Sequence, residues 1–259
     1  ATQGRSFWVL DDLSVLHQLG DKVTDSDYYL YQPETTYLFG NHTEPEPGQT
    51  LGENPKDGVV VHYNINSEIS DQEVELQFAE TNGDVIRTFS NKEDLDGNEI
   101  KESEEFHEKE HDVPSDVLTT KEGQNTFVWN MEYPGAADID GRQILWSGST
   151  DGPTAVPGTY EVRLIVDDQT IMSQNFDITK DPRIDVTQDD FEAQFDLHKT
   201  IISKLDTTHK TINRIREVRE ELNGIKSEYA GNQEVQDRVD GMLTTLSDVE
   251  GELMQTKAE

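Results

Sequence analysis

The chain is 259 residues long, enough to bury a full core and to divide into more than one compact unit. Its 54 acidic residues against 21 basic ones leave a net charge of −33, and only 32% of its residues are hydrophobic. That balance argues against nucleic acid and anionic membrane surfaces as partners, since their phosphates would repel it, and the absence of cysteine excludes disulfides, thiolate metal sites and thiol nucleophiles.

Low hydropathy with high charge is also the composition of a disordered chain. Here, however, the apolar residues fall at regular strand and helix spacings. A dispersed acidic excess suits solubility in high salt, where self-repulsion is screened, and it predicts a halophilic or marine source. No stretch approaches the roughly 20 apolar residues of a membrane span, so no membrane insertion is expected. The sequence opens at Ala1 without an initiator Met or a signal peptide, in what reads as the approach to a strand. A piece of a longer or processed protein is therefore expected.

In chain order, Ser6–Leu10 reads as a short apolar strand, and Asp11 or Asp12 can cap a short helix running to Leu19. Residues 20–56 hold Tyr28, Tyr29, Tyr31, Tyr37 and Phe39, which must pack on something, and then a Glu-Pro-Glu-Pro-Gly linker at 44–48. Strict alternation begins at Gly58–Asn66, with Val59, Val61, Tyr63 and Ile65 on one face. Val74, Leu76 and Phe78 repeat it. Asn82-Gly83 then predicts a tight hairpin into Val85–Ser90, because both residues tolerate positive φ. Residues 91–114 form a long acidic excursion. Phe127, Trp129 and Met131 mark the next strand, and Ala136–Val156 reads as a second long loop. Thr159–Asp167 and Thr170–Thr179 form a closing hairpin about Asp168-Gln169. Six strands, with a seventh as the upper count, and no intervening helix predict an immunoglobulin-like antiparallel β-sandwich over 57–180.

Residues 181–259 predict an antiparallel helical hairpin, so the fold class is mainly β with an α tail. Thr187 caps the first helix with Asp190 three residues on. Ile201, Leu205, Thr208, Ile212, Ile215, Arg219 and Leu222 follow a heptad seam. Val235, Val239, Met242, Leu246, Val249 and Leu253 repeat it on the second helix, after a break bracketed by Asn223-Gly224 and Ala230-Gly231. Such a hairpin can also pair with a second copy of itself.

Five stretches taken together resemble the C-terminal region of bacterial secreted sortilin-like proteins, β-propellers with BNR-type repeats that carry a glycosyl-hydrolase-like label. They are GRSFWVLDDLSVLHQL (4–19), NPKDGVVVHYNI (54–65), NTFVWNMEYPG (125–135), PGTYEVRLIVDD (157–168) and DPRIDVTQDDFEAQFDLHKTIISKL (181–205). The resemblance implies that residues 1–56 leave a propeller, that the sandwich and helical tail are its appendages, and that the chain is secreted or periplasmic. It implies an N-terminal β-propeller of the same parent protein as a partner. The propeller that would carry catalysis is not in this sequence, so the resemblance supplies no catalytic residue.

Chemistry-bearing patterns are sparse. With 54 acidic residues, paired carboxylates occur by chance; Asp11-Asp12 and Asp167-Asp168 read as a helix cap and a turn. Asp94, Asp96 and Asn98, before and after Gly97, resemble part of a calcium loop, but the Gly stands fourth where an EF-hand needs it sixth. Asp138-Ile139-Asp140-Gly141 has the same defect. A plain acidic loop is the simpler reading, a calcium ion on Asp94, Asp96 and Asn98 the alternative, and no other cofactor is expected. His107 and His111 stand four apart in an acidic stretch, and His198 and His209 read as helix surface. No Gly-x-Ser-x-Gly elbow or Gly-rich phosphate loop is present. Trp146, in a Gly/Ser-rich loop, can stack on a sugar ring or plug the sandwich edge; with Tyr133 it forms the ligand-binding candidate. Three functions follow as expectations: a non-catalytic accessory module, a glycan-binding module, or part of a glycoside hydrolase completed by the propeller.

Overall fold

The computed structural model describes residues 12–39, 56–92 apart from 68 and 70, 117–139 and 149–254. The chain forms two compact units, one from residues 1–133 and 154–192 and one from 134–153 and 193–259.

Among the described residues the first unit holds two short helices, α1 (Ser14–Gln18) and α2 (Asp21–Thr24), and eight strands. These are β1 (Tyr28–Leu30), β2 (Thr36–Leu38), β3 (Val59–Ile65), β4 (Val74–Glu80), β5 (Val85–Ser90), β6 (Gly123–Trp129), β7 (Gly158–Val166) and β8 (Gln169–Lys180). One sheet has the order β1-β3-β6, the other β2-β8-β7-β4-β5. All ladders are antiparallel except β2 on β8. The alternation predicted from the sequence is the burial pattern: Val59, Val61, Tyr63 and Ile65 from one sheet, and Val74, Leu76 and Phe78 from the other, are all fully buried. The inner faces share one apolar cluster. Each such side chain contributes about 1.5–3 kcal/mol relative to exposure.

Trp129 sits at its centre, stacked on Phe78 at 4.6 Å, with its Nε1–H donating to the Glu132 carbonyl at 3.2 Å. Gly58 makes the β3–β6 approach feasible. Its φ is +130°, and a Cβ there would stand 2.3 Å from the Trp129 carbonyl oxygen.

Four details differ from the sequence reading. The tyrosine-rich segment is not outside the sheets: β1 and β2 each add a strand, and Tyr31 is buried. Three-residue strands carry too little alternation to be seen. One pairing, β2 on β8, is parallel, so the sheets are not wholly antiparallel. The closing turn is Asp167-Asp168, with φ of 47° and 63°, one residue earlier than expected. Met131, expected within its strand, follows β6 with φ 63°. Strand Ser6–Leu10 and the acidic excursion lie outside the described residues, apart from its first two residues.

The tail is helical, as expected. Thr187 and Asp190 cap α3 (Gln188–Glu228) reciprocally: the Thr187 hydroxyl donates to Asp190 Oδ2 at 2.6 Å, and the Asp190 N–H donates back to Thr187 Oγ1 at 3.3 Å. The helix runs for 41 residues straight through Asn223-Gly224, where a break was expected. An interior glycine costs only about 1 kcal/mol, which the buried Leu222 beside it offsets. Asn232 caps α4 (Gln233–Leu253), its Oδ1 accepting from the Val235 N–H.

The predicted seam holds in its middle, at Ile212, Ile215, Leu222 and Val239, and shifts towards its ends. Ile202, His209, Ile212, Ile215 and Leu222 of α3 and Val239 of α4 are buried, whereas Ile201 is 53%, Met242 54% and Val249 42% exposed. The cause is a second covering on α3. Segment 134–139, which runs into the loop expected over Ala136–Val156, lies along the N-terminal half of its stripe and α4 along the rest. The Ala137 N–H donates to Asp206 Oδ1 at 3.0 Å, Asn213 donates to the Asp138 carbonyl at 2.8 Å, and Ile139 is buried. His209, expected on the helix surface, is buried and donates through Nδ1 to the Ala137 carbonyl at 2.5 Å.

Candidate functional site

Four places carry enough chemistry to be considered. The first surrounds Tyr133. Its hydroxyl donates to Glu80 Oε1 at 2.8 Å, and the neighbouring Tyr160 hydroxyl donates to the Val156 carbonyl at 2.8 Å. Arg87 Nη2 donates to the Tyr133 carbonyl at 3.0 Å, while its buried Nε has no partner. Burial, with the nearby Glu80 charge, pushes Tyr160 up to about 12 and raises Tyr133 as well. Both phenols therefore stay protonated at neutral pH and act as donors. Trp146, the other half of the expected pair, lies outside the described residues, as do Asp94, Asp96, Asn98, His107 and His111.

The second place is a chain of three side chains on the outer face of the three-stranded sheet. His62 on β3 and Thr126 on β6 are register partners. Thr126 Oγ1 is 2.9 Å from His62 Nδ1, and His62 Nε2 is 2.7 Å from Asp12 Oδ2. With Asp12 accepting, the imidazole proton sits on Nε2, and Nδ1 accepts from the hydroxyl. The polarity is that of a nucleophile–base–carboxylate relay. Asp12 also accepts the Ser14 N–H at 2.7 Å. Burial would raise Asp12, but the bonds from Ser14 and His62 outweigh it and hold it below the usual carboxylate range. Thr126 stands on an open strand, and neither groove described next borders it. The relay ties the entry to α1 against the sheet.

The third place is the β2 edge. Tyr37 and Phe39 stack with centroids 5.7 Å apart and planes 17° off parallel. The Arg183 guanidinium lies 5.4 Å from the Phe39 centroid. Arg183 is held by buried Asp181 through Nε at 2.8 Å and Nη2 at 2.6 Å. Those hydrogen bonds lower the Asp181 pKa. With Pro182 these residues line a groove of about 380 Å³, and Tyr37 is 46% exposed.

The fourth belongs to the helical unit. Ile215, Val218 and Leu246 form the apolar part of an open groove of about 430 Å³, bordered by Asp206, Lys210 and Arg214. Behind it, buried Glu250 of α4 accepts from Arg216 at 3.2 Å and Arg219 at 2.6 Å, both on α3. Burial raises the Glu250 pKa, yet the two arginines more than offset that and leave it lowered. Lys226 pairs with Asp240 further along.

Among the described residues no three His, Cys, Asp or Glu side chains are grouped as a metal ion would need, and no helix is long and apolar enough to cross a membrane. The helical contacts of Asp206, His209 and Asn213 were missed from the sequence. Their signal is the spacing of three and four, which places three polar side chains along one stripe of α3. No family model matches the chain, and no characterised protein or solved structure proves significantly similar to it.

Proposed function

We propose that this chain is a non-catalytic accessory module, an immunoglobulin-like sandwich with an antiparallel helical hairpin, serving a packing or assembly role in a larger secreted sortilin-like propeller protein. The observation that carries this reading is the use of the buried polar groups. Asn125 donates to the Lys121 and Gly123 carbonyls, Ser90 to Glu73, and His209 to Ala137; Asp181 and Glu250 are each held by arginine. Each is committed to a backbone or side-chain partner, and Asp181, which borders a groove, is held there by Arg183 rather than left free as a general acid, base or nucleophile would be. Two sheets with a common core around a buried Trp accord with the sandwich, and ion pairs running 216 and 219 to 250 and 226 to 240 accord with antiparallel helices. The expected outcome on a broad glycoside panel is no turnover by the purified chain. A separately produced propeller of the parent protein should bind it in a calorimetric titration. Turnover that survives repurification, or no heat of binding, sinks the reading.

One observation favours glycan binding as a second reading: the Tyr37–Phe39 stack with Arg183 and Asp181 beside it. An exposed aromatic face next to a fixed planar charge pair is the chemistry that holds a sugar ring. Glycan-array binding lost in Tyr37→Ala would support it, and no binding at millimolar sugar would remove it.

A further inference from the structure

We infer that the groove at the β2 edge takes one neutral hexopyranose ring, recognised by Arg183 through two adjacent ring hydroxyls. The inference rests on the glycan-binding reading given above and deepens it by naming the class of sugar.

The groove is built by β2 and by the turn that follows β8. Phe39 forms a floor for Arg183, whose guanidinium lies 5.4 Å from the ring centroid. Tyr37, stacked on Phe39 and the more exposed of the two, offers an aromatic face to the C–H side of a sugar ring. The groove volume of about 380 Å³ stands near the low end of the roughly 300–1,000 Å³ of small-molecule sites. It suits one ring better than a long stretch of polymer.

Arg183 supplies the direction. Its Nε–H and one Nη2–H go to Asp181, at 2.8 and 2.6 Å. Asp181 also accepts the Arg183 backbone N–H at 2.9 Å. That carboxylate is therefore occupied, and it is buried beyond a ligand's reach. A guanidinium has five N–H groups, so both on Nη1 and the second on Nη2 remain. Among the described residues those donors have no partner, and the side chain is largely exposed. The free end is a planar fork of two parallel donors. Two gauche hydroxyl oxygens on neighbouring ring carbons can each accept one N–H from it. A trans-diaxial pair points its oxygens apart and cannot.

Charge separates neutral from acidic sugars. Asp181 already neutralises Arg183. Lys180, which donates to the Val186 carbonyl at 2.7 Å, is offset by Asp185. Residues 180–185 are thus neutral, on a chain that carries −33. A uronate would bring a negative charge that no group here balances and that the surrounding field repels. An uncharged ring brings none.

The test is a two-dimensional NMR titration of the full chain with millimolar methyl glycosides of glucose, galactose and mannose. At least one should shift the amide signals of Tyr37, Phe39 and Arg183. Its 3-deoxy analogue should not, because loss of that oxygen leaves no adjacent pair of ring hydroxyls, and the acetal oxygen is a poor acceptor. The corresponding uronate should also leave the signals in place. Arg183→Lys keeps a cation on Asp181 but removes the fork, and it should weaken binding about tenfold. Equal binding of the 3-deoxy analogue or of the uronate overturns the inference and leaves the glycan reading standing. So does binding unchanged in Arg183→Lys. No shift with any of the three glycosides removes both. A polyproline peptide that moves these signals when the sugars do not also removes both, since aromatic grooves hold proline-rich chains as well.

Discussion

Glu250 is a carboxylate whose environment works in two directions. Its side chain is 7% exposed, which disfavours charge, while Arg216 and Arg219 sit at 3.2 and 2.6 Å and favour it. The arginines win, and the folded pKa lies below the ordinary 4.5. A group depressed on folding stabilises the protein fully above its unfolded pKa and loses that contribution as pH falls through the folded value. Glu250→Gln should therefore lower the stability of the helices near neutrality by about 1–3 kcal/mol, the cost of removing one partner from a buried hydrogen-bonded pair. The arginines remain a quarter exposed, at 25% and 29%, and water softens the loss. Melting wild type and variant by helical circular dichroism from pH 7 to about pH 3 should show the gap closing below about pH 4.5. A constant gap would mean that charge at Glu250 contributes nothing. The sequence showed Glu250 only as one more acid beside Val249, because a heptad seam marks apolar residues and the buried carboxylate replaces one. His209 is hidden in the same way: its partner Ala137 is 72 positions away.

At the scale of elements, the long strands were readable because period-two alternation survives in β3, β4, β6 and β7, and because Asn82-Gly83 marks the β4–β5 turn, where Gly83 alone of the two takes a positive φ, 96°. The Asp167-Asp168 turn is harder to read, since two aspartates there carry positive φ that glycine would adopt at lower cost. Asp167 earns its place by accepting the Glu73 N–H at 3.0 Å. Asp168 makes no such bond, so Asp168→Gly should raise stability by about 0.5–1 kcal/mol while Asp167→Gly should not. Chemical denaturation of both variants followed by Trp fluorescence checks this, and an equal gain in both would show that the carboxylate is idle. The helical seam was legible in period and, at Ile212, Ile215, Leu222 and Val239, in phase, but not towards its ends. Segment 134–139 takes part of α3, and nothing in a glycine-rich loop announces that it will lie on a helix. The phase matters for mutagenesis. Leu246, central in the predicted seam, only lines an open groove, whereas Val239 is 4% exposed. Val239→Asp puts an unpaired carboxylate into the helix interface at a cost of several kcal/mol. It should abolish the helical signal and leave Trp129 buried, read by fluorescence in a Trp8→Phe, Trp146→Phe background. Simultaneous loss of both signals would join the two units into one cooperative block.

At the scale of the whole molecule, the net charge of −33 dominates. The ion pairs of the described residues do little to relieve it. Arg214–Glu217 and Arg238–Glu234 are exposed on both sides, and pairs of that kind contribute about 0–1 kcal/mol each. The remaining acids repel one another across a surface whose Debye length is about 10 Å in 0.1 M salt and about 3 Å in 1 M. Folding brings those charges together and unfolding separates them, so repulsion falls mainly on the native state. Screening should then raise the melting temperature between low and molar NaCl. Salt also strengthens apolar burial when its ions are excluded from the surface, and that contribution depends on the ion rather than on ionic strength. Sodium and potassium chloride at equal ionic strength should therefore give the same rise, and replacing surface glutamates of α4 such as Glu234 and Glu252 by Gln should shrink it. A melting temperature that stays flat or falls with NaCl would rule out the acidic excess as an adaptation to salt. A rise that survives the Gln substitutions unchanged would place the effect in apolar burial instead, and the charge would need another explanation.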